Sequence, residues 1–469
     1  MNFNQILITG LLAVVLLAGV FLFFLIGPSQ EEFSLIPQGK MQEAGESSST
    51  EVGTGWSIEE NPEDAVKEAL SMALKNKITK IPDFIIVFAS SGSDTQAILS
   101  NIRKMLGDKP KLYGGTSDSR AVMTDKGFVK VTERAYEYAE MEGKRGLAIM
   151  TISSKDIIFG AGSANFSAYS SLQEASKQAL LQAIKSAGKS PEELPKLILT
   201  TPTIGTEEEV IEGIESVSGK NTPIIGGTAG GPKQSVFGKD KAYDKGVSLA
   251  VIYTDLPIGW AFEGGFDVTD SHSGIVTKTN GQEIIEIDGQ PALDKYDEWL
   301  QGKIKKLYEE NKKPDEIRDL LTLHPIYRKY TSPDGNSYFL FSHPWPKDDT
   351  LVEKGIMTST KIKAGEKIYL SHGTWETFIN RIGNLPRDAK IKGNMDINKK
   401  PLFGIGYICG GVMGTIPETE RYKLPLLINY ENNNAPFIAP FTWGEQGQFP
   451  GIGNKHGNLL TPFIVIGND

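Results

Sequence analysis

One stretch of the sequence occurs twice, and this duplication limits the possible folds more than any other feature. The first copy, residues 84–118, is FIIVFASSGSDTQAILSNIRKMLGDKPKLYGGTSD, and the second, residues 196–230, is KLILTTPTIGTEEEVIEGIESVSGKNTPIIGGTAG. The copies align without a gap. Each contains an apolar run, a loop of small residues, an amphipathic helical pattern, a second apolar run and Gly-Gly-Thr. A strand, a helix and a second strand in this order predict a right-handed parallel unit.

The duplication extends to both sides of these copies. A helical pattern precedes each copy. After each copy comes a segment with two apolar runs, which begins at Gly146 in the first copy and at Gly246 in the second. The sequence therefore predicts a pseudo-symmetric α/β region over residues 61–268, with copies at 61–165 and 168–268. A unit of about 100 residues that occurs only twice favours a symmetric pair over a solenoid.

Helix starts in both copies carry capping signatures. Asn61 precedes Pro62, which is the preferred order of an N-cap and the first helical residue. Ser or Thr followed three residues later by Glu or Gln predicts a capping box. Such pairs are Ser93 with Gln96, Ser171 with Glu174, and Thr206 with Glu209.

The pattern changes from residue 269 onward. Two strands are predicted around Asn280-Gly281, a strong hairpin turn, and helices and short strands then mix without an alternating order. Residues 269–469 are therefore predicted to form an α+β domain.

The N-terminal region predicts a membrane anchor. Residues 6–27 contain no charged residue and are long enough to span a bilayer as a transmembrane helix within residues 1–27. A cleaved signal peptide is the alternative. Residues 28–60 are rich in Glu, Ser and Gly and predict a disordered acidic linker. No Lys or Arg directly follows the apolar run, which favours an extracytoplasmic position for the soluble domains.

Composition and motif content exclude several classes of function. A net charge of −9 and no basic patch argue against nucleic-acid binding. The five histidines are scattered, and no metal-binding spacing is present, so no metal site is predicted. A single histidine as a haem ligand is an open alternative, although no C-x-x-C-H motif is present. Cys409 lies in an apolar run and is predicted to be a buried core thiol.

The two Gly-Gly-Thr loops are the first candidate ligand site. Ligands of open α/β sheets bind beyond the carboxyl ends of strands, where glycine allows close approach and hydroxyls supply hydrogen bonds. The alternative is that these glycines only form turns. No phosphate-binding motif is present. The candidates are Ser90, Ser91, Gly114, Gly115, Thr116, Ser117, Thr201, Gly226, Gly227 and Thr228.

A second candidate site lies near the C-terminus. Glu445 stands between glycines, and His456 and Asn458 follow in His-Gly-Asn. Carboxylate, imidazole and amide groups between glycine turns are typical of a polar ligand pocket. The alternative is that these groups satisfy backbone hydrogen bonds near a hairpin.

Several of these motifs, in this order, resemble the FIST family. The matching segments are LYGGTSDS (112–119), IIGGTAGG (224–231), GVSLAVIYTDLPIGWAFEGGF (246–266), GIVTKTNGQEIIEIDGQPALDKY (274–296), GYICGG (406–411), FTWGEQG (441–447) and HGN (456–458). The resemblance extends over both an N-terminal and a C-terminal FIST half.

The resemblance implies a sensory protein that binds a small molecule, with amino acids as suggested ligands. No cofactor is predicted. Some members of the family are haem-based gas sensors. Relatives usually act with separate signalling domains, so a membrane signalling partner or a homodimer is expected to carry the output. The sequence thus predicts a membrane-tethered sensory protein in signal transduction. A hydrolase-like enzyme on the same scaffold is the alternative from another class.

Overall fold

The structure is a computed structural model that describes residues 49–75, 81–118, 121–130, 145–310, 312, 314–348 and 350–467. The predicted transmembrane segment lies outside these residues. Within them, no helix has the length and apolar character needed to cross a membrane. The linker was predicted to be disordered up to residue 60, but Thr50–Ser57 within it form a strand.

Three six-stranded sheets in the described part of the chain share one strand order. The first sheet contains, in spatial order, β1 (Thr50–Ser57), β6 (Leu147–Ser154), β2 (Phe84–Ser90), β3 (Lys111–Ser117), β10 (Val236–Phe237) and β11 (Ala242–Tyr243). The second contains β7 (Ile157–Asn165), β12 (Gly246–Thr254), β8 (Leu197–Pro202), β9 (Ile224–Gly227), β26 (Glu445–Phe449) and β27 (Gly453–Gly457). The third contains β13 (Ile258–Glu263), β28 (Thr461–Ile466), β22 (Phe403–Gly406), β24 (Phe437–Ala439), β4 (Ala121–Thr124) and β5 (Gly127–Lys130).

Strand directions are also the same in the three sheets. In each, only the third and fourth strands are parallel, and all other neighbours are antiparallel. The predicted parallel strand–helix–strand units are therefore confirmed at β2–β3 and β8–β9. A third unit, at β22–β24, was not predicted.

The helices complete three repeats of one layout. They are α1 (Pro62–Ala73), α2 (Thr95–Leu106), α3 (Leu172–Ser186), α4 (Glu207–Ser218), α5 (Ala292–Trp299), α6 (Lys303–Glu309), α7 (Pro314–Leu323), α8 (Trp375–Lys392), α9 (Gly410–Thr415) and α10 (Lys423–Glu431), with 3-10 turns at Phe166–Ala168 and Glu418–Glu420. In the first two repeats the order is strand, helix, strand, helix, strand, hairpin, strand. The third repeat follows this order through β13, α8, β22, α10, β24, β26–β27 and β28.

The hairpin of each repeat joins the sheet of another repeat. β4–β5 of the first repeat joins the third sheet, β10–β11 of the second joins the first, and β26–β27 of the third joins the second. Each sheet therefore contains strands from two repeats.

An insertion interrupts the third repeat between β13 and α8. It contains α5 to α7 and a further sheet, while a separate two-stranded sheet pairs β23 (Ile408–Cys409) with β25 (Phe441–Thr442). The strands of the insertion are β14 (Phe266–Asn280), β15 (Glu283–Ile287), β16 (Gln290–Pro291), β17 (Ile326–Thr331), β18 (Ser337–Ser342), β19 (Pro344–Pro346), β20 (Ile356–Thr358) and β21 (Lys367–Gly373). The domain boundary predicted at residue 269 falls inside β14, the first strand of the insertion. The third repeat begins before this boundary, with β13, and continues after the insertion.

The three sheets enclose one apolar core. Phe84, Ile86 and Phe88 of β2 point into a cluster that also includes residues of the second and third sheets. The alternate residues Ile85 and Val87 pack against α1 and α2 on the other face. Because both faces are buried, β2 is a continuous apolar run and not an alternating one.

A chain of buried hydroxyl groups links the three repeats inside this core. Tyr113 Oη lies 2.7 Å from Thr201 Oγ1 and 2.8 Å from Tyr407 Oη. These residues belong to the first, second and third repeats. The predicted ligand residue Thr201 therefore serves the core in this structure.

The two sequence copies align with a shift of one residue at their first strands. Ser90 N donates to Gly146 O at 2.7 Å, and Thr203 N donates to Gly246 O at 3.0 Å. Ser90 is thus the counterpart of Thr203, whereas an alignment without a gap would pair Ser91 with Thr203. The gap-free alignment was wrong here because the loop before α2 is one residue longer than the loop before α4.

Two of the four predicted helix caps differ in the structure. Asn61 and Ser171 are N-caps, as predicted. The N-cap of α2 is Asp94 and not Ser93, because the Asp94 carboxylate accepts the hydrogen bond of a first-turn amide. Thr206 makes no side-chain capping bond, since its hydroxyl donates to the Thr203 carbonyl.

Candidate functional site

A buried polar cluster lies where the second Gly-Gly-Thr loop meets the exchanged hairpin of the third repeat. We define the polar cluster as Glu207, Thr228, Gln446, His456 and Asn458. Gln446 Nε2 donates to Thr228 Oγ1 at 3.1 Å, and Thr228 Oγ1 donates to Glu207 Oε1 at 3.0 Å. Gln446 Nε2 also lies 3.2 Å from His456 Nδ1. Four side chains are thus connected by hydrogen bonds.

Strand register explains why these side chains meet. Gln446 of β26 pairs with Gly226 of β9 on one side and with His456 of β27 on the other. Directly paired residues project to the same face of a sheet, so Gln446 and His456 lie together. Thr228 directly follows β9, and Glu207 is the first residue of α4, the helix that connects β8 to β9.

The cluster contains buried polar atoms that have no partner among the described residues. These atoms are Glu207 Oε2, Gln446 Oε1, His456 Nε2 and Asn458 Oδ1. None of the four residues is more than 4% exposed. An unsatisfied buried polar group costs about 1–3 kcal/mol, and most buried polar groups in proteins are therefore paired. Four such atoms in one cluster make it the candidate binding site of the described residues.

Gly444 keeps open the space beside the cluster. A Cβ atom at this position would lie 2.6 Å from His456 Cε1 and 3.3 Å from Asn458 Nδ2. A side chain there would displace the imidazole or the amide. The glycine of the Trp-Gly-Glu motif is thus required by the packing of the cluster.

Burial alters the acid–base behaviour of Glu207. Loss of solvent raises its pKa above the ordinary value, and the nearby His456 opposes that rise when it is charged. The hydrogen bond from Thr228 also favours the carboxylate. The carboxyl group is therefore sensitive to any cation placed beside it.

The insertion contacts the helix that carries Glu207. Lys361 N donates to Glu208 Oε1 at 2.9 Å, and the Lys361 ammonium pairs with Glu209. Arg328 holds this segment in place, because its guanidinium donates to Lys361 O at 3.1 Å and to Thr360 Oγ1 at 3.2 Å. Glu208 is half-buried and directly follows Glu207, so the first turn of α4 connects the polar cluster to the insertion.

Glu445 lies apart from the polar cluster, on the opposite face of β26. Its carboxyl group accepts hydrogen bonds from Thr442 Oγ1 at 2.8 Å and from Leu460 N at 3.2 Å. Complete burial raises its pKa well above the ordinary range, because loss of solvent disfavours the charged form. Cys409 is buried nearby, as predicted, and burial raises the pKa of its thiol. These two groups have the environment of structural residues.

The hydroxyl groups of the first copy bind backbone atoms of neighbouring segments. Ser90 Oγ accepts from Gly146 N at 2.8 Å, and Ser91 Oγ donates to Lys233 O at 3.1 Å. Thr116 Oγ1 donates to Gly230 O at 3.0 Å, and Ser117 Oγ accepts from Phe441 N at 2.9 Å. The first loop therefore joins the repeats and does not reach the polar cluster.

The four glycines of the two loops allow close packing of strands. A Cβ atom at Gly114 would lie 1.7 Å from Val87 O, and one at Gly226 would lie 1.8 Å from Thr200 O. At Gly115 and Gly227 it would lie 2.9 and 2.4 Å from the side chains of Thr201 and Thr442. The structure thus brings together Thr228, His456 and Asn458 from the predicted residues. It places the glycines in packing contacts and the remaining predicted residues in hydrogen bonds elsewhere in the fold.

Sequence reasoning missed Glu207, Glu208 and Gln446. The run Glu207-Glu208-Glu209 has the acidic first turn that favours any helix start, so it gave no sign of a site. The sequence did contain one signal for Gln446. Gln446 lies between the predicted Glu445 and a glycine, and strand alternation places its side chain opposite that of Glu445.

Comparison with known proteins gives one family match. Residues 83–290, from β2 of the first repeat through the second repeat to the start of the insertion, match the FIST N domain. The predicted FIST C-terminal half is not part of this match and stays a prediction. No curated protein matches the sequence.

Two solved structures have a low similarity to this chain. A cyanuric acid hydrolase from A. caulinodans is 11% identical, with 45% of this chain and 71% of that chain covered and a TM-score of 0.27. A second structure, titled as cyanuric acid hydrolase and evolutionary innovation by structural concatenation, is 8% identical, with 90% and 100% covered and a TM-score of 0.32. TM-scores of this size support no argument about fold or function.

Proposed function

We propose that this chain is a sensory protein that binds a small polar molecule at the polar cluster. One observation carries the proposal. Glu207, Gln446, His456 and Asn458 each leave one buried polar atom unpaired within the described residues. The match of residues 83–290 to the FIST N domain supports the same class of function, since FIST domains are generally sensory ligand-binding domains.

Compact amphoteric molecules are the ligand class that fits these atoms best. The unpaired set contains carboxylate and amide oxygens, which accept hydrogen bonds, and an imidazole nitrogen, which donates or accepts according to its tautomer. An amino acid carries an ammonium group and a carboxylate within a few bonds of each other. Amino acids are therefore the first class to test.

A hydrolase on the same scaffold has less support. The only hydroxyl of the polar cluster is that of Thr228, which is fully buried and already bonded to both Gln446 and Glu207. A nucleophile must reach the substrate and have a base that takes its proton. Ligand binding needs no such access to Thr228.

The insertion is the proposed route by which binding is relayed. A ligand beside Glu207 would change the position or charge of the first turn of α4, which contacts Lys361 through Glu208 and Glu209. Arg328 connects that segment to the sheet of the insertion. A signalling partner or a second copy of the chain would then bind the insertion differently in the two states.

A thermal-shift screen of the full chain tests ligand binding. We expect an amino acid at 100 times its Kd to stabilise the fold by about 2.7 kcal/mol. Asn458→Ala should reduce this shift strongly, whereas Glu212→Gln, on the exposed side of α4, should retain it. Small carboxylates and haem belong in the same screen. The proposal fails if no compound shifts the wild type, or if Asn458→Ala responds as the wild type does.

We also propose that residues 6–27 tether the protein to a membrane, because this segment carries no charge and is long enough to span a bilayer. The full chain should sediment with membranes and resist washing with alkaline carbonate. A variant without residues 6–27 should appear in the soluble fraction and keep its ligand-induced shift. Recovery of the full chain in the soluble fraction would contradict the tether but not the binding site. Protease protection of the intact chain would report the side of the membrane.

A further inference from the structure

We infer that the cluster binds a divalent transition-metal ion through Glu207, Glu208 and His456, and that this ion holds the small-molecule ligand. The second part of this inference rests on the proposed function. One ring nitrogen of His456 and one carboxylate oxygen of each glutamate lie within 4.8 Å of one another. Ligand atoms at about 2.1 Å from a shared ion lie at most about 4.2 Å apart. Small rotations of the glutamate side chains therefore complete the site.

The unpaired atoms identify which groups face the ion. His456 Nδ1 is next to the Gln446 amide, while Nε2 has no partner among the described residues. Glu207 Oε1 is bonded to Thr228, while Oε2 has none. His456 is 4% exposed and Glu207 is 2% exposed, so solvent does not replace the missing partners. An ion would satisfy both atoms at once.

Neighbouring groups hold the ligands in the way that protein metal sites require. Binding through Nε2 places the ring proton of His456 on Nδ1, which points to Gln446. With the oxygen and nitrogen positions of the Gln446 amide exchanged, its oxygen accepts that proton, since the assignment of these two atoms follows the hydrogen-bond network. The Thr228 hydroxyl, 3.1 Å from the same amide atom, then turns from Glu207 and donates to this oxygen. Lys361 N similarly orients Glu208. Such supporting contacts commonly set metal affinity.

The donor set indicates the class of ion. One imidazole nitrogen with two carboxylates suits zinc and neighbouring first-row ions, whereas magnesium and calcium prefer oxygen ligands alone. Three protein ligands leave at least one coordination position open. The amine and carboxylate of an amino acid form a chelate at such an ion, and Asn458 remains available for its other polar atoms. The ligand class would thus be small metal-chelating molecules.

Metal binding is tested on the full chain after chelator treatment and dialysis. We expect one Zn²⁺ per chain by calorimetry, and Co²⁺ should give the visible absorption of a nitrogen–oxygen site. His456→Ala and Glu207→Gln should each weaken Zn²⁺ binding about 100-fold or more, and Gln446→Leu about 10-fold or more. His272→Ala, at an exposed histidine, and Glu212→Gln should bind as the wild type does. Circular dichroism of each variant checks that it is folded.

The outcomes separate the metal from the proposed function. Absence of stoichiometric Zn²⁺ binding by the wild type, or equal binding by folded Glu207→Gln and His456→Ala, overturns the metal site. An amino-acid thermal shift that is as large in metal-free protein as in loaded protein removes the ion from ligand binding and leaves the sensory function standing. Stoichiometric Zn²⁺ binding without any amino-acid shift supports the metal site and contradicts the proposed ligand.

Discussion

Gly162→Ala is expected to lower the free energy of unfolding by about 3 kcal/mol, because β7 and α3 leave no space for a methyl group. A Cβ atom at Gly162 would lie 2.0 Å from Ala179 O and 2.7 Å from Ala183 N. Both are backbone atoms of one helix, so the contact is relieved only if α3 moves away from the sheet. That movement would open the apolar contacts between α3 and the second sheet.

Urea unfolding with an unchanged slope measures this loss. Ser163→Ala, on the opposite face of β7, is the matched control and should change stability little. The same contact recurs in the other repeats, where Gly55 and Gly259 would each place a Cβ atom 1.9 Å from a helix carbonyl oxygen. Equivalent alanine variants should therefore lose similar stability. A loss below about 1 kcal/mol for Gly162→Ala would contradict the packing that we describe.

Glu445→Gln is expected to raise stability at neutral pH and to remove a large part of its pH dependence. Burial raises the pKa of Glu445 well above 4.5 in the folded state. Below about pH 4.5, both the folded and the unfolded chain carry the neutral acid. As the pH rises toward the folded-state pKa, only the unfolded chain ionises, and the wild type loses about 1.4 kcal/mol per pH unit. Glutamine does not ionise, so the variant avoids this loss.

The hydrogen-bond partners of Glu445 can also bind the side-chain amide of a glutamine at this position. Its oxygen can accept from Leu460 N, and its nitrogen can donate to Thr442 Oγ1, whose own hydrogen then points to Ile408 O at 3.4 Å. Urea unfolding from about pH 5 to pH 7 should show a shallower decline for Glu445→Gln than for the wild type. Glu207 retains its own contribution, since its pKa is also raised. Equal slopes for the two proteins would show that Glu445 is ionised in the folded state.

The first two repeats were predictable because their signals are local. Strands such as β2 are buried on both faces and appear as continuous apolar runs, and each helix between them has one apolar stripe. The third repeat lacks such signals. Its parallel strands β22 and β24 have only four and three residues, and the insertion separates β13 from α8. Neither short strands nor an interrupted repeat can be identified by periodicity.

The candidate site was predictable only in part, for a related reason. Thr228, His456 and Asn458 follow glycine turns, which made them candidates. Thr228 meets His456 only through the exchanged hairpin, which brings Gln446 beside Thr228, 218 residues away along the chain. No short sequence pattern predicts a contact between residues so far apart along the chain. The burial of Glu207 was hidden because an acidic first turn is usual for an exposed helix.

The exchange of hairpins has a consequence for biosynthesis. The first repeat gives β4–β5 to a sheet whose last strand, β28, is the final element of the described chain. During translation the β4–β5 hairpin is therefore made long before its partner strand β24, and the edge of β4 stays unpaired until β24 has left the ribosome. Folding that depends on contacts of this range is slow, and exposed strand edges favour aggregation. We therefore expect a nascent chain of this architecture to depend on a chaperone until β24 has been made.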